Sequence, residues 1–422
     1  MKVDVSFLRE NEKKAVLKLI EAARLMDDIF FNQTYHLNQE YLEAMKKAKD
    51  LDPKFLEYFD IMTGPFDRVD DDKPFIGSLT KPEGANFYPV DMKKEELEGW
   101  LKAHPEDEKT FKSNFTVIVR QGEKLAAIPY SEAYKKWLEP AANLLKEAAG
   151  LCGNESLKKF LVSRADAFSS NDYYQSDMDW MDVSESPIDV TIGPYEVYED
   201  KMFGYKAAFE AYVTVVNPEE SKQLQIHQQY LKKLDEKLPM PAGMKWVRDT
   251  YESPIRVVDV IATGGDSRKG VQAIAFNLPN DEKVRQNKGN KQVMLKNLMN
   301  AKFEGILRPI AAEVLTEADV KDLSGEAFFL FVLHHELGHS LGPSMVTVNG
   351  KTEEVRTALK EKYSAIEEAK ADTLSMHNTL YLLDKGEIAK DLEKTLLPTY
   401  LAGLFRTIRF GLEEAHGTGV MI

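Results

Sequence analysis

The sequence predicts an α+β chain of two lobes, one a mixed α/β lobe with a small β-structure and the other mostly helical. Three observations carry this prediction. Apolar residues recur every three or four positions in the first and last thirds of the chain, as on one face of a helix. In the middle third they alternate with polar residues, the two-residue period of a strand. The strand-like segments 188–216 and 255–276 also flank a helical insert, so the chain should pass between the lobes more than once. The boundaries that follow are 1–216 with 255–305 for the mixed lobe, and 217–254 with 306–422 for the helical lobe, facing each other across a wide cleft.

In chain order, 12–31 reads as a helix with Val16, Leu19, Ile20, Ala23, Met26 and Phe30 on one face. A second helix covers 37–48, and turn chemistry takes over at Gly64-Pro65, Pro74, Pro82 and Gly84. Helical periodicity returns over 131–149 and 157–168. Strands are predicted at 188–192, after Pro187, and through Phe209, Ala211, Val213 and Val215, which alternate with Glu210, Tyr212 and Thr214 as in a half-buried strand. A helix over 218–238 follows. The β-branched run 255–262, between Pro254 and Gly264-Gly265, is the next strand, and 273–276 a further one. The stretch 293–307 reads as a helix ended by Pro309, which lacks the donor a helix interior needs. Another helix begins near Ser324, and helical patterns, one of them from Glu361 to Leu383, continue to the end.

Composition narrows the function. Lys plus Arg number 55 against 69 Asp plus Glu, a formal charge of −14, which disfavours nucleic acid or an anionic membrane as the main partner. A single cysteine, Cys152, excludes an intramolecular disulfide framework and a multi-cysteine metal site. The apolar run 327–333 is far short of the ~20 residues a membrane span requires. Asp4, Arg9, Glu10 and Glu12 stand where a signal peptide needs an apolar stretch, so the expectation is a cytoplasmic chain, or an exported one whose leader has been removed. The basic run Lys283, Arg285, Lys288, Lys291 and Lys296 reads as a solvated face beside Asp281 and Glu282.

The chemistry concentrates in His335-Glu336-Leu337-Gly338-His339, an HExxH string. Residues four apart stand one above the other on a helix, so two imidazoles can take adjacent corners of a tetrahedral zinc, while Glu336 reaches the metal-bound water as a general base. An apolar lead-in, 327–333, and the stop Gly342-Pro343 make a rigid carrier helix. Such a pentapeptide arises by accident in about one chain in a hundred, so its context matters. Downstream, Glu367-Glu368-Ala369-Lys370-Ala371-Asp372 lies in a helical pattern. Alone this is a solvated acidic face. Joined to HExxH it offers one carboxylate, of Glu368 and Asp372, for the metal and another for the remaining N–H of a ligand histidine. A His, His, carboxylate set leaves one position for water, the open arrangement of a catalytic site, and favours Zn2+, one ion, over other divalent metals. His334, about 100° round the helix from His335, reads as a packing or hydrogen-bond partner. His377 reads as structural or as a support to the metal site, and His36, His104 and His227 as ordinary surface or core residues.

The order HExxH, then EExxxD, resembles the dipeptidyl-peptidase III family of zinc exopeptidases. The segment Ile192-Gly193-Pro194-Tyr195-Glu196-Val197-Tyr198, followed by Phe209-Glu210-Ala211-Tyr212-Val213, is similar to that family's stretch bearing a substrate-binding Glu and Tyr. Gly264-Gly265 and Phe276-Asn277-Leu278-Pro279-Asn280-Asp281 look like its paired-asparagine stretch. Lys73-Pro74-Phe75-Ile76-Gly77 and Gly84-Ala85-Asn86-Phe87-Tyr88-Pro89 resemble the bacterial subgroup that plants carry fused to Nudix domains. The resemblance implies His335, His339 and Glu368 as zinc ligands, Glu336 as base, and Glu367 and Asp372 as their support. It also implies Glu196, Asn277 and Asn280 as holders of a peptide's free amino terminus, and Tyr198 and His416, the latter in Glu414-Ala415-His416-Gly417, as groups that stabilise the reacting carbonyl. On the residues alone, Glu196 and Tyr198 could also be a surface pair alternating on one strand face, and Asn277 a turn former. Two departures stand out: the family's usual string has one more residue between its histidines, and its members continue well past the segment ending here at Met421-Ile422. The expected function is release of N-terminal dipeptides from short peptides. The alternatives are a zinc endopeptidase or aminopeptidase with another cut position, a non-catalytic peptide-binding protein on the same fold, and a structural zinc protein.

Overall fold

A computed structural model of the chain describes residues 3–216, 218–241, 255–270, 272–343, 345–348, 350–359, 362–409, 411–412 and 415–422. Of the sequence expectations, Asn217 and 242–254 of the helical insert (Pro254 among them), the helix start at Glu361 and Glu414 lie outside the described residues. The chain forms two compact units, one of Lys2–Val216 and Val258–Lys291, the other of Asn217–Val257 and Gln292–Ile422. The class is α+β, as the periodicities predict.

In the first unit, helix α1 (Glu10–Thr34) buries Val16, Leu19, Ala22, Ala23, Met26, Ile29 and Phe30, with Ile20 half-buried at the edge of that stripe. Glu12 closes its first turn by accepting from the Arg9 backbone N–H at 2.8 Å and the Arg9 guanidinium at 2.6 Å. The buried stripe packs on helix α2 (Lys135–Leu151) and on the sheet. Strands β1 (Ile188–Glu196) and β2 (Ala208–Val216) pair antiparallel, with Gly193 opposite Glu210, and β2 pairs antiparallel with β3 (Ile255–Gly265). The sheet order is β1-β2-β3-β5-β4, with β4 at Ala275–Leu278 and β5 at Lys291–Leu295. A side chain at Gly264 would meet the Ala23 carbonyl oxygen at 2.1 Å, so glycine is what lets α1 approach the sheet.

Three expectations about elements change, and Lys291, expected on a solvated face, is buried with its ammonium donating to the Trp180 carbonyl at 2.7 Å. Every residue of β2 is buried, polar ones included, where the alternation predicted a half-buried strand. The second face is covered too, with Thr214 donating to the Asp189 carbonyl at 2.8 Å and the Tyr212 ring packed at a tilt of 32° against Phe276. The predicted helix over 293–307 begins as the wholly buried strand β5, and helix starts only at Lys296. Pro309 does not end it: a wide turn over Phe303–Leu307 re-phases the backbone, and Pro309 sits in the first turn of the next helix, Arg308–Val314, where a missing N–H costs nothing.

The second unit is mainly helical, with a small hairpin of Met345–Val348 and Lys351–Glu354. Helix α3 (Pro218–Glu236) precedes β3, and the rest is built on α4 (Gly325–His339), α5 (Tyr363–Asp384), α6 (Glu393–Ile408) and α7 (Ala415–Met421). Ser324 caps α4, accepting from the Ala327 N–H at 3.3 Å, as the serine before an apolar run predicts.

Candidate metal centre

Helix α4 carries His335 and His339, and α5 lies against it. The approach is close because Gly338 faces Ala371: a β-carbon at Gly338 would be 3.2 Å from the Ala371 Cα and carbonyl oxygen. Ser375 locks the crossing, donating to the Phe331 carbonyl at 2.6 Å. Helix α7 meets α5 the same way, at Gly419, whose absent side chain would sit 3.0 Å from the Ala369 nitrogen and 3.1 Å from the Glu368 Cβ. Small residues at two crossings thus bring three helices together around Glu368.

The result is a convergence of donor atoms. The Nε2 atoms of His335 and His339 are 3.2 Å apart. Glu368 Oε2 is 3.2 Å from the first, 3.8 Å from the second and 3.3 Å from His416 Nε2. His335, Glu368 and His416 hold ligand atoms that all lie within 4.8 Å of one another. The edges of a tetrahedron built on bonds of about 2.0–2.2 Å are about 3.3–3.6 Å, so the spacing suits a small four-coordinate cation.

The other ring nitrogens fix the tautomers. His335 Nδ1 is 2.7 Å from Asp372 Oδ1, and His339 Nδ1 is 3.0 Å from Glu367 Oε1. A carboxylate only accepts, so each Nδ1 carries a proton, and Nε2 is the nitrogen that each ring turns inward, where a cation would take the place of its proton. Glu368 Oε2 is buried without a hydrogen-bond partner. Two lone pairs and an orphaned carboxylate oxygen aimed at one point are a polar arrangement that a cation satisfies, and the donor chemistry, two imidazoles and a carboxylate, suits zinc.

The electrostatics agree. Burial by itself lowers the His335 imidazole, but the bond to Asp372, the Glu368 carboxylate close by and the charge of Glu336 lift it to about 10. Burial likewise raises Glu368, yet the imidazole of His335 beside it and the charges of His416 and His339 bring it below the usual carboxylate range. Glu367 is lowered despite burial, by His339 and Lys370. The pocket strongly favours positive charge.

The sequence-predicted residues fall into two groups. His335, His339, Glu367, Glu368, Asp372 and His416 come together in the helical unit, where Glu336 lies half-buried on the same helix with its carbonyl accepting from Gln292 at 3.1 Å. Glu196, Tyr198, Asn277 and Asn280 belong to the other unit. There Glu196 ends β1, its carboxyl raised by burial and by Asp266 and lowered by a hydrogen bond from Asn280, whose Nδ2 also donates to the Tyr195 carbonyl at 3.1 Å. Asn277 is exposed within β4, in a strand and not a turn. Tyr198 does not alternate with Glu196 on a strand face: β1 stops at Glu196, and Tyr198 stands in the following turn, 77% exposed.

His334 is the hydrogen-bond partner its helix position predicts, 2.9 Å from His227 Nδ1 and 2.5 Å from Thr379 Oγ1. His227 is therefore a buried partner of the metal helix, and His377 is exposed. Sequence reasoning missed Glu210, buried opposite Gly193 with its carboxyl raised well above normal by burial and by Glu196. It also missed Lys370, three residues after Glu367. The sequence signal for Glu210 is that it is the one charged residue of β2.

Comparison with known proteins follows the same lines. The model of peptidase family M49 matches residues 103–368. Nudix hydrolase 3 of Arabidopsis thaliana is 38% identical over 466 residues, covering 98% of this chain, which spans 60% of that protein. The structure of DPP III from Caldithrix abyssi superposes with a TM-score of 0.97 at 53% identity, covering 100% of this chain and 80% of that one. Dipeptidyl-peptidase III from Corallococcus sp. strain EGB gives 0.85 at 44% identity, over 99% and 79% of the two chains. With the family match spanning well over half its length, this chain belongs to peptidase family M49.

Proposed function

We propose that the chain is a zinc-dependent peptidase that releases dipeptides from the free amino terminus of short peptides. The observation that carries the reading is the convergence of His335 Nε2, His339 Nε2 and Glu368 Oε2 within 3.2–3.8 Å of one another. The similarity to structures of DPP III supports the exopeptidase part. When bound, zinc supplies a Lewis acid that lowers the pKa of a coordinated water toward neutrality and polarises a carbonyl. Glu336 takes the proton of the attacking water and delivers it to the leaving amine. Asp372 and Glu367 hold the two imidazoles in the tautomer that presents Nε2. His416 and Tyr198 donate to the carbonyl oxygen as it gains charge. Glu196, with the amide oxygens of Asn277 and Asn280, accepts the three hydrogens of the substrate ammonium.

The test is cleavage of an unblocked tetrapeptide, read by mass. Two dipeptides should appear, a chelator should stop the reaction, and acetylating the amino terminus should stop it too. Undiminished turnover of the acetylated peptide would defeat the exopeptidase reading, and a product one residue long would make the enzyme an aminopeptidase.

A further inference from the structure

His339 is the weaker-held ligand histidine. It is the last residue of α4, and helix ends fray. Its side chain is 27% exposed, against 11% for His335. Its orientation therefore depends on what grips the end of the helix from outside. Glu367 Oε1 holds its Nδ1 at 3.0 Å, and that same oxygen is 2.7 Å from Lys370 Nζ. The Lys370 ammonium also donates, at 2.9 Å, to the carbonyl of Leu341, two residues past His339. Leu341 is buried, so its carbonyl needs a donor.

We infer that Lys370 is a positioning residue for the metal, clamping the carboxylate of Glu367 and the chain just beyond α4 so that His339 keeps its Nε2 on the shared focus. One ammonium with three donor hydrogens satisfies both groups at once, and its charge lies where the α4 carbonyls point, which the helix dipole favours. His335 has no such arrangement: its carboxylate, Asp372, is buried in mid-helix, and its ring is enclosed. The clamp belongs to the exposed ligand because that ligand lacks burial to fix it. Lys370 touches neither substrate nor metal and acts only through Glu367 and the Leu341 carbonyl.

This inference rests on the zinc reading, and one titration separates their failures. Zinc affinity is measured on the full chain by competition with a chromophoric chelator, alongside the melting temperature of the metal-free protein. Loss of a group that supports a ligand typically costs 10- to 100-fold in metal affinity. Lys370→Met should lose about that much while the metal-free melting temperature falls by only the few degrees that one unpaired buried carbonyl costs; Lys370→Arg should bind within about threefold of the parent. The decisive measurement is the cycle with Glu367→Gln. If Lys370 acts through Glu367, the double variant loses little more than Glu367→Gln alone, whereas independent effects would multiply. Lys370→Gln serves the same cycle should the methionine variant fail to fold. Parent-like affinity in Lys370→Met overturns the clamp, and losses that multiply overturn its action through Glu367; either leaves the peptidase reading standing. A parent chain that takes up no zinc overturns both.

Discussion

At the level of single side chains, the centre works by division of labour between the two nitrogens of each ring. Asp372 and Glu367 accept from the Nδ1–H groups, so the Nε2 atoms are the ones left to hold the proposed metal. Glu336 contributes nothing to that geometry, being about 100° round α4 from His335. Its removal should therefore separate binding from chemistry: Glu336→Ala should keep its zinc, by elemental analysis, and lose 10²- to 10⁴-fold in kcat, the usual worth of a general base. Zinc loss on that substitution would show that Glu336 holds the metal instead. The histidines and Glu336 were legible in the sequence because HExxH places side chains by helix geometry, while the separate roles of Glu367, Glu368 and Asp372 rested on the family resemblance, since spacing left open which carboxylate faces a metal. Lys370 was not legible. Three residues after Glu367, it looks like one more pair on a helix surface, and only the tertiary contact with the Leu341 carbonyl distinguishes it. Tyr198 was misplaced for a similar reason, since alternation cannot say where a strand stops.

Among elements, the metal helix is held from two sides. Gly338 admits α5, and the His334 side chain reaches α5 at Thr379 and α3 at His227. Helix α3 makes a second attachment where Asp235 accepts from the Gly342 N–H at 2.8 Å, just past the end of α4. The His227 contact is pH-sensitive. Burial lowers its imidazole to about 4, against an opposing pull from Glu387, while the unfolded chain titrates near its ordinary 6.5. Between those values the unfolded state binds more protons, so stability is complete above about pH 6.5 and falls as pH drops toward 4, by about 3 kcal/mol at most. Urea unfolding of the parent should show that slope, and His227→Gln should be flatter over the same window while less stable at pH 8. A parallel slope in the variant would assign the acid sensitivity elsewhere. Element types were mostly readable from periodicity. What failed was discrimination between a buried strand and a helix start: Val293-Met294-Leu295 is an uninterrupted apolar run, and such runs carry no period.

For the whole molecule, the connectivity explains why one motif-bearing chain makes two chemical districts. The chain leaves the first unit after Val216, returns within β3 after Val257, and leaves again within β5 after Lys291. The residues proposed to hold the metal all follow that last passage, and those proposed to hold the ammonium all precede it. Zinc should accordingly act on one unit's stability. A ligand that binds only the folded state stabilises it by about 4 kcal/mol at a thousandfold excess over Kd, and that gain belongs to the helices whose side chains contact it. Hydrogen exchange with and without chelator is the measurement. Amides of α4, α5 and α7 should lose protection when zinc is withdrawn, with those of β1 and β2 changing far less. Uniform loss across both units would mean that the chain unfolds as one cooperative body and that the metal stabilises all of it. Loss confined to β1 and β2 would contradict the placement of the metal among the helices.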